Sequence, residues 1–312
     1  MQQNWKPLGQ LVKAPLDLPW AKTHAAYPTY LERAGQRGTI FFSPRDEFGR
    51  SHVAAIDVEI QGDNVRLTSE VQGPFISPGA RGEFDADGAS ISCIIREGGD
   101  LFAYYLGWTK GDSVPFANFI GLAIAKGDSG KFEKLSNVPI VGRTIENPIC
   151  VGYPWVYRVG DAWQMWFGSH LLWGERRLEM EHVLKRAASN DGIHWTPEKA
   201  IVVGLDRATS PEEYAISRPT VLSHNGRLLM WYARRSPNYS LGFAWQHNDG
   251  SWRRADSALQ FGQSDAWTEG TRTYPCVFKQ GGEFYMLYNG SGYGLTGFGI
   301  ARLTNPDSLN LG

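Results

Sequence analysis

Short runs of alternating apolar and polar residues, separated by glycine turns, fill most of this chain, and they repeat. Residues 153–169 read YPWVYRVGDAWQMWFGS, 218–234 read RPTVLSHNGRLLMWYAR, and 274–290 read YPCVFKQGGEFYMLYNG. In each, a proline opens an alternating strand, a glycine-containing turn follows, and a Met-aromatic strand returns, which is the pattern of a β-hairpin. Pro154 and Met165, Pro219 and Met230, and Pro275 and Met286 are each 11 positions apart. Two looser copies come first: Ser92 stands in the proline position with Ala103 11 residues on, and Pro28 precedes Ile40. The anchors Pro28, Ser92, Pro154, Pro219 and Pro275 lie 64, 62, 65 and 56 residues apart. A third apolar strand follows each hairpin, as in SHVAAIDVEI, FIGLAIAKG and TGFGIARLT, and tight turns such as SNDGIHW and HNDGSW lead toward a fourth.

A four-stranded antiparallel unit repeated five times predicts an all-β, five-bladed β-propeller. The blades start near residues 24, 85, 146, 213 and 269, and residues 1–312 form one domain. The last repeat ends at Leu303 without a fourth strand, so the N-terminal segment NWKPLGQLV is expected to supply it and close the ring. The nearest approach to helical periodicity, around residues 176–185, reads as a local insertion.

Composition narrows the class. The 12 Trp, 13 Tyr and 15 Phe are heavy side chains for packing between blades, and 42% hydrophobic content excludes a disordered chain. A net charge of −1 gives no general attraction to nucleic acid or anionic membrane. No 18-residue apolar run is present to span a bilayer. Cys93, Cys150 and Cys276 are scattered and odd in number, and the N-terminus lacks an apolar signal core, so a cytoplasmic protein without a disulfide scaffold is expected.

Ligands of propellers sit at one mouth of the central channel, where the residues just before each first strand converge. Those positions hold His24, Asp87 with Asp85 beside it, Glu146, Glu213 and Glu269. Arg45, Asp46, Arg218, Arg234 and Arg235 come from neighbouring strand ends. Several carboxylates facing one cavity cannot all ionise cheaply, so their pKa values should separate, as glycosidic bond cleavage requires. Trp108, Trp155, Trp173 and Tyr274 are candidates to stack on sugar rings. Each of these residues also has a plainer reading: solvated loop carboxylates, interblade core tryptophans, and Asp191-Gly192 and Asp249-Gly250 as turn formers. His182 and His194 read as incidental. No metal-ligand spacing, P-loop or dinucleotide fingerprint is found, so no cofactor is expected, and the spacing does not support a channel Ca²⁺.

The stretches FSPRDEFGRSHV, GEFDADGAS, EEYAISRPTV, MWYARR and YNGSGYGLTGFGIA resemble the five-bladed propeller superfamily of glycoside hydrolases. That group includes family 43 arabinanases and xylosidases, the invertases and the mannoside phosphorylases. The chain is most similar to bacterial glycosyl hydrolase-like propellers that accompany surface-polysaccharide genes. The resemblance implies an Asp before the blade-one proline, a second Asp in blade three and an acid Glu in blade four. Here Tyr27 and Tyr153 precede Pro28 and Pro154, and only Glu213 keeps its counterpart.

Three readings follow. In the first, a carbohydrate-active enzyme uses Asp87 as base and Glu213 as acid, with Glu146 or Glu269 modulating, while His24, Arg45 and Arg218 orient a carbohydrate or glycoconjugate. In the second, the pocket binds a sugar or nucleotide-sugar without cleaving it. A scaffold for protein partners is a third reading, which predicts an exposed apolar face instead of a deep channel. The sugar, the acceptor and the oligomeric state are left open by the sequence.

Overall fold

The computed structural model describes residues 2–128, 131–175, 180–262 and 266–311. Five antiparallel units follow one another along the chain. Blade 1 contains strands Thr23–Glu32, Arg37–Arg45, Val53–Gln61 and Asn64–Leu67; blade 2 contains Gly88–Glu97, Asp100–Lys110, Phe116–Ala125 and Glu133–Lys134. Blade 3 contains Cys150–Val159, Ala162–Trp173, Met180–Ser189 and Thr196–Val203; blade 4 contains Ala215–His224, Arg227–Arg235, Tyr239–Gln246 and Trp252–Arg254. Blade 5 contains Thr273–Gln280, Glu283–Asn289 and Gly297–Leu303, completed by the N-terminal strand Gln3–Lys13. Each first strand packs against the first strands of the blades before and after it, so the five form a closed ring around the channel.

The ring closes as the repeat predicts. The N-terminal strand runs antiparallel to the last strand, from Trp5 opposite Leu303 to Lys13 opposite Gly297. Gln3 is fully buried in the joint, and its side-chain oxygen accepts hydrogen bonds from the indole N–H groups of Trp5 (3.2 Å) and Trp231 (3.0 Å). Residues 180–185, part of the segment read as an insertion, belong to the third strand of blade 3; residues 176–179 lie outside the described residues. Their short polar-apolar pattern is resolved by pairing with the strands on both sides.

The core is divided by the blades. Phe41, Ile91 and Ala103 pack between blades 1 and 2; Tyr104, Val156 and Met165 between blades 2 and 3; Trp166, Val221 and Met230 between blades 3 and 4. Trp231, Phe243 and Met286 fill the next gap, and Phe42, Phe278 and Leu287 the one that closes the ring. This arrangement explains why the returning strands are apolar on both faces: each blade has a neighbour on either side.

One irregularity recurs and decides the site. All five first strands lose register with their hairpin partner at the proline position. In four of them the residue before the proline has a left-handed backbone: Tyr27 (φ 57°), Tyr153 (φ 55°), Arg218 (φ 53°) and Tyr274 (φ 54°). A β-bulge of this kind re-aims a side chain, and a non-glycine residue held there carries strain of about 1 kcal/mol or more.

Candidate functional site: an aromatic pocket at the channel mouth

Three of the four bulge residues face one cavity of about 930 Å³ at the mouth of the channel. Tyr27 and Tyr274 have ring centres 4.6 Å apart, Tyr27 and Tyr153 5.7 Å, and Tyr153 and Tyr274 6.2 Å, so the rings form one aromatic floor. Asn289, fully buried, holds Tyr27 in place: its side-chain oxygen accepts from the Tyr27 N–H (2.9 Å) and its NH₂ donates to Ala25 O (2.8 Å). Tyr239 extends the floor, its hydroxyl 3.3 Å from that of Tyr274. Burial raises the Tyr153, Tyr274 and Tyr239 pKa values, so these are neutral hydroxyls at pH 7.

The walls are aromatic and imidazole. His170 and His182 meet edge to face at 4.3 Å, Trp173 lies 5.5 Å from His170, and Phe116 lies 5.2 Å from Trp173. His182 Nδ1 contacts the Ile216 carbonyl, which accepts its proton and leaves Nε2 as the acceptor. Opposite them, Arg45 lies over the Trp108 ring at 5.4 Å, and the Trp108 indole N–H donates to Ser51 Oγ (2.8 Å). His182 Nε2, His170 Nδ1, Trp173 Nε1, Asn118 Oδ1 and Arg235 Nε are buried atoms of lining residues that have no hydrogen-bond partner among the described residues. Buried polar groups are normally satisfied, so a concentration of unsatisfied ones along one cavity marks a place for a polar ligand or water.

Burial lowers the pKa of His182 to about 4 and holds that of His170 well below the ordinary histidine value, with His182 adding to the effect. Both rings are neutral at pH 7. The unfolded chain takes up these protons near pH 6.5, but folded His182 does so only near pH 4. Stability is therefore complete above about pH 6.5 and is lost as the pH falls toward 4. Thermal unfolding followed from pH 8 to pH 4 should show a loss of up to about 1.4 kcal/mol per pH unit for each buried histidine. A His170→Gln/His182→Gln double variant should flatten that slope.

The residues expected from the sequence divide sharply. Arg45, Trp108 and Tyr274 line the cavity, as does Trp173, whereas Asp87, Glu146, Glu213 and Glu269 do not. Glu213 departs furthest from the expected placement. Its carboxylate has no exposed surface and accepts from Arg234 Nε (2.7 Å), Arg254 Nη1 and Nη2 (2.7 and 2.8 Å) and the Asp206 N–H (2.7 Å). Burial alone would raise its pKa, but the bonds from Arg254, the Asp206 amide and Arg234 outweigh it and lower the value, the reverse of what a general acid needs. Arg234 is committed to the same network, which also takes in Asp256.

The other departures have similar causes. Asp87 accepts from the Lys110 N–H (2.7 Å). Asp85 is buried between Lys134 Nζ (2.6 Å) and the Tyr105 hydroxyl (3.0 Å). Asp46 closes a turn by accepting from the Phe48 and Arg50 N–H groups (3.0 and 2.8 Å). Glu269 is exposed in a turn, and Glu146 is half-buried, its carbonyl taking a bond from Lys185 Nζ. His24 sits beside Arg45, and burial with that charge lowers its pKa to about 4. Trp155 packs between blades 3 and 4, donating to Val221 O (2.9 Å). Arg218 is fully buried and spends its guanidinium on Ser92 O, Pro28 O (3.2 Å) and Thr29 Oγ1 (2.7 Å), spanning the channel from blade 4 to blades 1 and 2.

His182, read from the sequence as incidental, stands in this wall, and His170, Tyr239 and Tyr293 carried no signal that singled them out. The available signal was the residue before each proline, which marks the bulge. His194, by contrast, pairs with Asp191 (2.7 Å) in an exposed turn far from any such marker. Among the described residues no group of three His, Cys, Asp or Glu side chains is placed to hold a metal ion, and no helix is long and apolar enough to cross a membrane.

No protein-family model matches the chain. Two proteins of Mycobacterium tuberculosis, MT1551 and Rv1502, both described only as uncharacterized, are each 37% identical over 305 residues, covering 96% of this chain and 99% of theirs. Among solved structures, a glycoside hydrolase superposes with a TM-score of 0.71 at 17% identity, over 97% of this chain and 91% of that one. A thermostable family-43 glycoside hydrolase gives 0.62 at 14% identity (94% and 91% covered). The α-L-arabinofuranosidase PaAbf62A of Podospora anserina, solved with cellotriose, gives 0.63 at 11% identity (97% and 96% covered). At such identities the likeness is one of fold. With its ring of five blades and its full-length match to the mycobacterial pair, the chain belongs to the family of Rv1502 and MT1551, built on the β-propeller fold of the glycoside hydrolases.

Proposed function

We propose that this protein is a glycosidase-like propeller that binds a carbohydrate in its channel-mouth cavity without the paired-carboxylate machinery of cleavage. The observation that carries this reading is the identity of the bulge residues. Tyr27 and Tyr153 occupy positions where the hydrolases it resembles carry aspartates, and Tyr274 occupies the matching position in blade 5. Glycosidic cleavage needs two carboxyl groups flanking the bond, one of them with a raised pKa. Glu213, the remaining counterpart, is locked among arginines. Among the described residues the carboxylates that do line the cavity, Asp112 and Glu175, are exposed.

What the cavity offers suits sugar recognition. Trp108, Trp173 and the tyrosine rings supply apolar faces, while His182 Nε2, Trp173 Nε1 and the tyrosine hydroxyls supply acceptors and donors for ring hydroxyls. Titration of a glycan panel into the protein, followed by tryptophan fluorescence, should give saturable binding. Trp108→Ala and Trp173→Ala should each weaken it by about 1 kcal/mol, roughly fivefold. Absence of saturable binding across the panel, or binding indifferent to both substitutions, would reject the reading.

A further inference from the structure

We propose that the sugar bound here is anionic and that its carboxylate or phosphate seats on Arg235; this rests on the sugar-binding reading above. Arg235 ends the second strand of blade 4 and lines the cavity. Three tyrosine rings surround its guanidinium, Tyr239 at 4.8 Å and Tyr214 and Tyr293 each at 5.4 Å, and Nη2 donates to the Tyr293 hydroxyl (2.9 Å). These contacts fix the plane of the guanidinium but bring no negative charge at neutral pH.

The neighbouring residue supplies the contrast. Arg234 points to the other face of the strand and meets Glu213 (2.7 Å) and Asp256 (3.3 Å). Arg235 has no such carboxylate among the described residues, and its Nε–H is buried without a partner. A half-buried cation lacking a counter-ion is costly, and an anionic group in the cavity would relieve that cost. A guanidinium held flat by aromatic rings presents a donor fork suited to a carboxylate or phosphate. Among the described lining residues the basic groups outnumber the acidic ones: Arg45 and Lys110 join Arg235, against Asp112 and Glu175, both exposed.

Calorimetric titration with the neutral, uronate and 6-phosphate forms of glucose, galactose and mannose tests the assignment. At least one anionic form should bind at least about tenfold more tightly than its neutral partner. That preference should vanish in Arg235→Gln, shrink in Arg235→Lys, which keeps the charge but loses the fork, and weaken when salt is raised from about 50 to about 500 mM. Whether the uronate or the phosphate wins identifies the source of the charge. Equal binding of neutral and anionic forms would overturn the anionic assignment while leaving the sugar-binding reading intact. No binding by any form would overturn both. A preference that survives Arg235→Gln in a folded variant would remove Arg235 as the seat. Should that variant fail to fold, Arg235→Lys and the salt dependence of the unaltered protein decide, and a salt-independent preference counts against the proposal.

Discussion

Replacing Glu213 with alanine is expected to destabilise the protein by about 3–5 kcal/mol, a large share of the stability of an ordinary domain. Its carboxylate is enclosed and accepts from two arginines and one backbone amide. Removing it leaves Arg234 and Arg254 sharing Asp256 alone in a site with little access to water. Breaking one member of a buried charge network costs far more than the network contributes when intact, because the survivors stay buried and unpaired. Chemical denaturation of the variant should show the loss as a lower midpoint. Glu213→Gln should also be destabilised, since an amide cannot accept from both arginines on both sides. If instead Glu213→Gln folds with unaltered stability and loses only a carbohydrate-processing activity, Glu213 is the acid that the blade-four position suggests.

Arg218→Met is expected to cost about 1–3 kcal/mol, because buried acceptors lose their donor while a fully buried charge with no carboxylate partner among the described residues is removed. Arg218 is the fourth bulge residue, but it turns away from the cavity that the three tyrosines line. Its guanidinium bonds Ser92 O, Pro28 O and Thr29 Oγ1, joining three blades through the middle of the ring. Methionine restores much of the volume and none of the hydrogen bonds, so buried carbonyls on blades 1 and 2 lose their donor. Denaturant unfolding reads the stability, and sugar affinity measured on the folded fraction separates the roles. A structural Arg218 lowers stability with little change in affinity; one that grips substrate would do the opposite.

The fold was readable from the sequence because the features that set it are local. The 11-residue spacing from proline to methionine records a hairpin of fixed length, and its recurrence counts the blades. The missing fourth strand after Leu303 pointed to closure by the N-terminus, and Trp5 opposite Leu303 is that closure. The site was readable only where it depended on the same local feature. Tyr27, Tyr153 and Tyr274 stand before prolines, and the bulge there turns them into the cavity.

The expected carboxylates lie away from the cavity for a physical reason. A position six or eight residues ahead of the proline lies in the loop before the first strand, and the loop's path sets which way the side chain points. Glu213 became structural because Arg254, 41 residues later, reaches back to it. Asp85 became structural through Lys134 on the outermost strand of blade 2. The histidine pair was invisible for a related cause. His170 and His182 lie on adjacent strands of blade 3 directly opposite each other, a pairing that the ladder register fixes and spacing along the chain does not reveal.

A crystal structure with a bound sugar is the most direct test of the claim that this cavity recognises carbohydrate without cleaving it through paired carboxylates. The expected result is a sugar ring on the floor formed by Tyr27, Tyr153 and Tyr274, beside Trp108 and Trp173, with no pair of carboxyl groups flanking its glycosidic oxygen. Two carboxyl groups about 5–9.5 Å apart on either side of that oxygen would contradict it and return the protein to the hydrolases it resembles.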